Sequence, residues 1–113
     1  MLPMTRLKEK LLAERRRLFL QVARAEEDLH WLDTNLETEV EEEAQEKSLA
    51  GLLARLDDRG KAEIEAIDRA LARIAAGDYG RCIDCDRPIP QARLEALPTA
   101  ETCVECANAR ERT

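Results

Sequence analysis

Large aromatic side chains are nearly missing from this chain of 113 residues, which holds one Phe, one Trp and one Tyr. That scarcity excludes a deep globular core or a β-sandwich, both of which need bulky rings to fill them. Long apolar runs are missing too. No stretch approaches the roughly 20 residues that span a bilayer, so no membrane insertion is expected. The first ten residues, Met-Leu-Pro-Met-Thr-Arg-Leu-Lys-Glu-Lys, lack the apolar segment of a secretion signal, and the chain reads as cytoplasmic. Positive charge is not in surplus: 18 Lys and Arg face 24 Asp and Glu, a net of −6, which argues against a general nucleic-acid binder. There is one His, and no nucleophile–base pair or phosphate loop, so the chain does not read as an enzyme.

Hydrophobic residues make up 44 %, chiefly Leu and Ala, against 37 % charged. This composition belongs to long helices packed along a narrow seam rather than to a disordered tail. In the first third, Met4, Leu11, Leu18, Ala25 and Leu32 recur every seventh residue, with Val22, Leu29 and Leu36 four positions on. Leu7, Leu12 and Phe19 widen this stripe, Thr5 suits an N-cap, and no Pro or Gly follows until Gly51. The second third repeats the pattern with Leu49, Leu53, Leu56, Ile64, Ile67, Leu71 and Ile74. Gly60 falls on an apolar position and marks an irregularity near Asp57 and Asp58. Gly77-Asp78-Tyr79-Gly80 carries a helix stop. Two helices of about 33 residues, each roughly 50 Å long, are expected, and their short connection makes them an antiparallel coiled-coil hairpin over residues 1–78.

The acidic excess is local. Residues 31–50 carry one Lys against seven carboxylates, so the whole net charge of −6 lies there. The turn of the hairpin is expected within 33–43, with Thr38 and Glu41 as a capping box opening the second helix. Glu37, Glu39, Glu41, Glu42 and Glu43 therefore crowd at its tip. A helix N-terminus favours some negative charge, but packing does not require this much. His30 and Trp31 lie close to the tip and read as packing or surface residues.

All four cysteines fall in the last third, as Cys82-Ile83-Asp84-Cys85, seventeen residues, then Cys103-Val104-Glu105-Cys106. Two C-x2-C pairs at this separation close a tetrahedral thiolate site on one Zn²⁺. Disulfides fit poorly in a chain without an export signal, and a redox C-x-x-C pair belongs to a βαβ setting that is not seen here. Four thiolates leave no open position, so the metal is expected to be structural. Asp86, just after the first pair, suits a left-handed backbone. Between the pairs, residues 87–90 read as extended and 91–97 as a short helix stopped by Pro98. Residues 99–112 read as a turn and a final helix, and 79–113 form a small zinc-finger segment.

The segment Gly-Asp-Tyr-Gly-Arg-Cys-Ile-Asp-Cys, followed by Pro-Ile-Pro-Gln-Ala-Arg-Leu-Glu-Ala-Leu-Pro-Thr-Ala-Glu-Thr-Cys-Val-Glu-Cys, resembles the DksA/TraR family of C4 zinc-finger proteins. The resemblance runs from about Glu39 to Cys106. It implies a protein that binds RNA polymerase beside the secondary channel, inserts its hairpin and modulates initiation through acidic residues at the tip. The family's Asp-x-x-Asp-x-Ala at that tip corresponds to Glu39, Glu42 and Ala44, each carboxylate one methylene further out. No sequence-specific DNA contact is implied, despite the short basic cluster Arg15-Arg16-Arg17. Three positions of the family's alarmone (ppGpp) pocket are Ala66, Leu97 and Ala107, with Arg59 retained, so ppGpp binding is not expected. The chain is expected to act as a monomer. The alternative reading is a zinc-stapled helical hairpin serving as a protein-interaction adaptor without transcriptional activity.

Overall fold

A computed structural model describes residues 2–34 and 43–112 of the chain. The fold is dominated by six helices among these residues: α1 (Met4–Leu20), α2 (Glu26–Thr34), α3 (Glu43–Arg55), α4 (Asp58–Ala76), α5 (Gln91–Ala96) and α6 (Val104–Glu111). The only pairing of extended backbone among the described residues is an isolated antiparallel bridge between Arg81 and Pro88. None of these helices is long and apolar enough to cross a membrane. The all-α class expected from composition holds, and α2 packs on α3 as the arms of a hairpin.

The arms are not continuous. The first is interrupted at residues 21–25 and the second at residues 56–57. Gly60 does mark the second interruption: the Asp57 carboxylate accepts the Gly60 N–H at 2.7 Å, capping a new helix, α4. No Gly or Pro announces the first. There the Asp28 carboxylate reaches back to the N–H groups of Arg24 and Ala25, at 3.1 and 3.3 Å, in the manner of a capping box. The acidic run Glu26-Glu27-Asp28 in the first turn of α2 is the sequence signal for this helix start. The start of α1 also differs from expectation. Leu7 N–H bonds the Pro3 carbonyl, so the helix begins at Met4 and Thr5 lies inside it.

The interruption resets the apolar stripe. Ala25 and Leu29, on the extrapolated seam, are exposed, and Asp28 and Trp31, off it, are buried, while the seam residue Leu32 is buried as expected. On the second arm Leu52 is fully buried and Leu53 only half-buried, the reverse of the expected choice. Thr38 and its capping box lie outside the described residues.

Two compact units result, Leu12–Glu65 and a second made of Met1–Leu11 with Ala66–Thr113. The first has Leu18, Phe19, Trp31, Leu32, Leu52, Leu56 and Ile64 as its core. Phe19 meets Trp31 edge to face at 5.9 Å between ring centroids, and the Arg15 guanidinium lies 4.9 Å from the Phe19 ring. Arg55 donates to the Val22 carbonyl at 2.7 Å and to Asp28 at 2.6 Å.

The Arg24 N–H bond holds the Asp28 carboxyl below the usual carboxylate range against the opposing effect of burial, and the Ala25 N–H and Arg55 add to it. A carboxyl lowered on folding stabilises above its unfolded value and loses that contribution as pH falls through the folded one. Trp31 emission is therefore expected to hold down to about pH 4 and to report loosening below it. Asp28→Asn should weaken this acid dependence, and superimposable profiles would show that Asp28 does not contribute.

Candidate metal centre

In the second unit, α4 ends in a Schellman motif. Gly77 has φ +82°, Asp78 N–H bonds the Arg73 carbonyl at 2.9 Å, and Gly77 N–H bonds that of Ile74 at 3.2 Å. Arg73 then donates to the carbonyls of Asp78 and Arg81, tying the helix end to the first cysteine turn. Gly80 has φ +89°, and a Cβ there would lie 2.5 Å from Leu2 Cδ1. Only Gly permits that approach. The N-terminal residues pack on this unit further along as well, with Lys10 donating to the Glu95 carbonyl at 3.1 Å and Arg6 paired with the Glu95 carboxylate.

The first cysteine pair sits in a tight turn. Asp86 N–H bonds the Cys82 carbonyl and Cys82 N–H bonds the Arg87 carbonyl, both at 2.9 Å. Asp86 takes φ +63°, the left-handed backbone its position suggested. Pro88 pairs with Arg81 in the isolated antiparallel bridge, and Ile89 N–H returns to the Gly80 carbonyl at 2.7 Å. Helix α5 buries Leu94 completely, and Tyr79, itself buried, donates its hydroxyl to the Pro98 carbonyl at 2.7 Å. The second pair opens α6, with Cys103 at its N-cap in extended conformation and Cys106 in its first turn.

Two links register the pairs against each other. Ile83 N–H bonds the Glu101 carbonyl at 2.9 Å. Arg110 on α6 grips Asp84, between Cys82 and Cys85, through two bonds of 2.6 Å. These bonds hold the Asp84 carboxyl below its usual range. Arg93 donates to the carbonyl of buried Thr102 at 2.8 Å. Sequence reasoning missed the Asp84–Arg110 clamp, whose only signal is an acid inside a C-x2-C turn.

The four Sγ atoms of Cys82, Cys85, Cys103 and Cys106 lie within 4.8 Å of one another, and those of Cys85 and Cys103 are 3.9 Å apart. A tetrahedron with Zn–S of about 2.3 Å has edges of about 3.8 Å, so the cluster fits one zinc ion. The thiols are unequal. Burial opposes ionisation of Cys82, but hydrogen bonds from the backbones of Cys103, Cys85 and Asp84 bring it down to about 6. Hydrogen bonding with Cys103 pushes Cys106 up, with burial and the other thiols adding to it. Cys85 also ends above the usual thiol range, despite a lowering backbone bond from Arg87. Four thiolates this close repel one another, and a divalent cation removes that penalty. The donor set is soft, closed and four-coordinate, which suits structural zinc.

Glu39 and Glu42 lie outside the described residues, and Ala44 is a helical residue of α3.

Residues 77–112 match the family described as prokaryotic dksA/traR C4-type zinc finger. Over 80 residues the chain is 38 % identical to the RNA polymerase-binding transcription factor DksA of Caulobacter vibrioides, covering 71 % of this chain and 56 % of that protein. Over 77 residues it is 35 % identical to the protein of the same name from Escherichia coli K12, covering 68 % of this chain and 50 % of the relative. The chain thus spans about half the length of these curated relatives. Two solved structures share its fold. Transcription factor DksA2 from Pseudomonas aeruginosa matches with a TM-score of 0.62 and 30 % identity, over 96 % of this chain and 83 % of that one. The DnaK suppressor protein from Agrobacterium tumefaciens C58 matches with a TM-score of 0.55 and 37 % identity, over 90 % and 89 %.

A helical chain closed by a four-thiolate segment of this kind is a C4 zinc-finger protein with one structural zinc ion. It belongs to the DksA/TraR family.

Proposed function

We propose that this protein binds RNA polymerase and modulates initiation of transcription. The observation that carries the proposal is the C4 segment at residues 77–112 in a chain 38 % identical to a protein named for polymerase binding. Residues 79–113 and the base of the hairpin in 1–78 supply affinity. The acid-rich stretch supplies activity, through Glu39 and Glu42 beside Ala44, and Cys82, Cys85, Cys103 and Cys106 hold the zinc. The concentration of the net charge of −6 in residues 31–50 supports this division, since packing gives no reason for it. The protein works in the cytoplasm as a monomer, on the polymerase and not on DNA bases, without catalysis of its own. Ala66, Leu97 and Ala107 offer a polyphosphate no charge, so ppGpp adds nothing through those positions.

The test joins a pull-down to transcription in vitro. Polymerase subunits should be retained by the wild type and by Glu39→Ala with Glu42→Ala alike. The double variant should lose its effect on initiation several-fold while its melting temperature stays within about 2 °C, because exposed carboxylates contribute little stability. Glu39→Asp with Glu42→Asp keeps the charge and shortens the reach, and should change activity at constant binding. A wild-type protein that retains no polymerase overturns the proposal. Retention of a different protein would favour the adaptor reading.

A further inference from the structure

Both arms of the hairpin are broken, and Arg55 spans the two breaks. Its Nε donates to the carbonyl of Val22, inside the interruption at residues 21–25, at 2.7 Å. Its Nη2 donates to Asp28 Oδ2 at 2.6 Å, and Arg55 is itself the last residue of α3, beside the interruption at residues 56–57. The same Asp28 oxygen accepts the N–H groups of Arg24 and Ala25, so one buried carboxylate closes the first break, starts α2 and receives the second arm. The break has a cost: a helix interrupted in its middle gives up main-chain hydrogen bonds, and these groups need other partners. Here a guanidinium and a carboxylate supply them.

Apolar packing covers one side of the joint. There Phe19, at the end of α1, meets Trp31 of α2. Another side opens on a cavity of about 490 Å³ lined by Leu18, Gln21, Val22, Arg55, Leu56 and Gly60, among others. Gly60 is close-fitted, since a Cβ would lie 3.1 Å from Leu56 Cδ2. A joint with open space beside it is held by its polar clamp more than by close packing.

We infer that Arg55 and Asp28 are positioning residues that lock a joint in the hairpin and so set the direction in which α2 and α3 lead to the acid-rich stretch. Helices α2 and α3 pack on each other, so a change of angle at this joint would carry both. The fork of Arg55 is essential to it, because a planar guanidinium reaches a carbonyl and a carboxylate at once and an ammonium does not. The functional consequence rests on the proposed role of Glu39 and Glu42. The lock itself does not.

The test uses the full-length, zinc-loaded protein well below its melting transition. Spin labels are introduced as unnatural amino acids at Leu29 on α2 and Glu65 on α4, both exposed, so that the cysteines stay untouched. Arg55→Lys keeps the charge and removes the fork, and Asp28→Asn keeps the shape and removes the charge. Each should broaden the distance distribution and raise the quenching of Trp31, the chain's single tryptophan, several-fold, with zinc content unchanged. Distributions as narrow as the wild type's in both variants overturn the inference. On polymerase, both variants should still bind and lose much of the effect on initiation. A broadened joint with full activity overturns the positioning role. If the wild type has no effect on initiation, the proposed function fails, and the distance measurement still decides the lock.

Discussion

Removal of zinc is expected to unfold residues 80–113 and to leave most of the helical signal standing. The apolar residues buried there and just before it are few, chiefly Tyr79, Ile89, Leu94 and Ala100. So small a cluster does not offset the entropy of ordering its loops. Structural zinc contributes an apparent 10–16 kcal/mol, roughly, in isolated fingers near neutral pH, and most of the folding energy here must come from the same source. Helices α5 and α6 hold only six and eight residues, against 17, 9, 13 and 19 in α1 to α4. Chelation should thus cost a minor part of the far-ultraviolet helix signal. It should also abolish the protection of Tyr79, whose hydroxyl bonds Pro98. The first residues should loosen as well, because Leu2, Arg6 and Lys10 are held against Gly80 and α5. Cys106→Ala should reproduce the effect. A metal-free chain with Tyr79 still protected would overturn this account.

Phe19→Ala should destabilise the other unit by about 3–5 kcal/mol, the usual cost of deleting a fully buried Phe. Phe19 has no exposed surface, and its edge-to-face partner Trp31 is only 3 % exposed. The variant removes the ring that joins α1 to α2 across residues 21–25 and leaves a cavity beside Trp31. Domain stabilities amount to roughly 5–15 kcal/mol, so a loss of this size should lower the melting temperature by many degrees. Trp31 emission should shift to the red before the transition. Zinc content should stay at one ion per chain, since Phe19 belongs to the unit without cysteines. A loss below about 1 kcal/mol would mean that the ring pair is not part of the core.

Local signals were readable where a single residue type has a single local use. Gly77 and Asp86 take the positive φ values that their positions suggested. Pro98 follows the end of α5, and Gly60 marks the break in the second arm. The break in the first arm has no Gly or Pro, and its one local signal is the acidic run Glu26-Glu27-Asp28 that opens α2. With the helix taken as unbroken, the heptad rule put Leu29 on the seam, where it is 46 % exposed. An interruption of five non-helical residues disturbs the helical phase, so Leu29 leaves the seam while Leu32 stays on it.

The sequence by itself determined the helical class, the place of the four cysteines and the concentration of acid in residues 31–50. Each of these follows from covalent spacing or from a repeat that every residue of a segment shares. Tertiary structure alone decided the rest. Arg55 finds Asp28 across 27 residues, Arg110 finds Asp84 across 26, and Arg93 reaches the Thr102 carbonyl. Periodicity tells which face of a helix is apolar, but not which arginine will stand opposite which carboxylate. That depends on where each helix starts and stops, and those ends are set by hydrogen bonds that form only when distant segments meet.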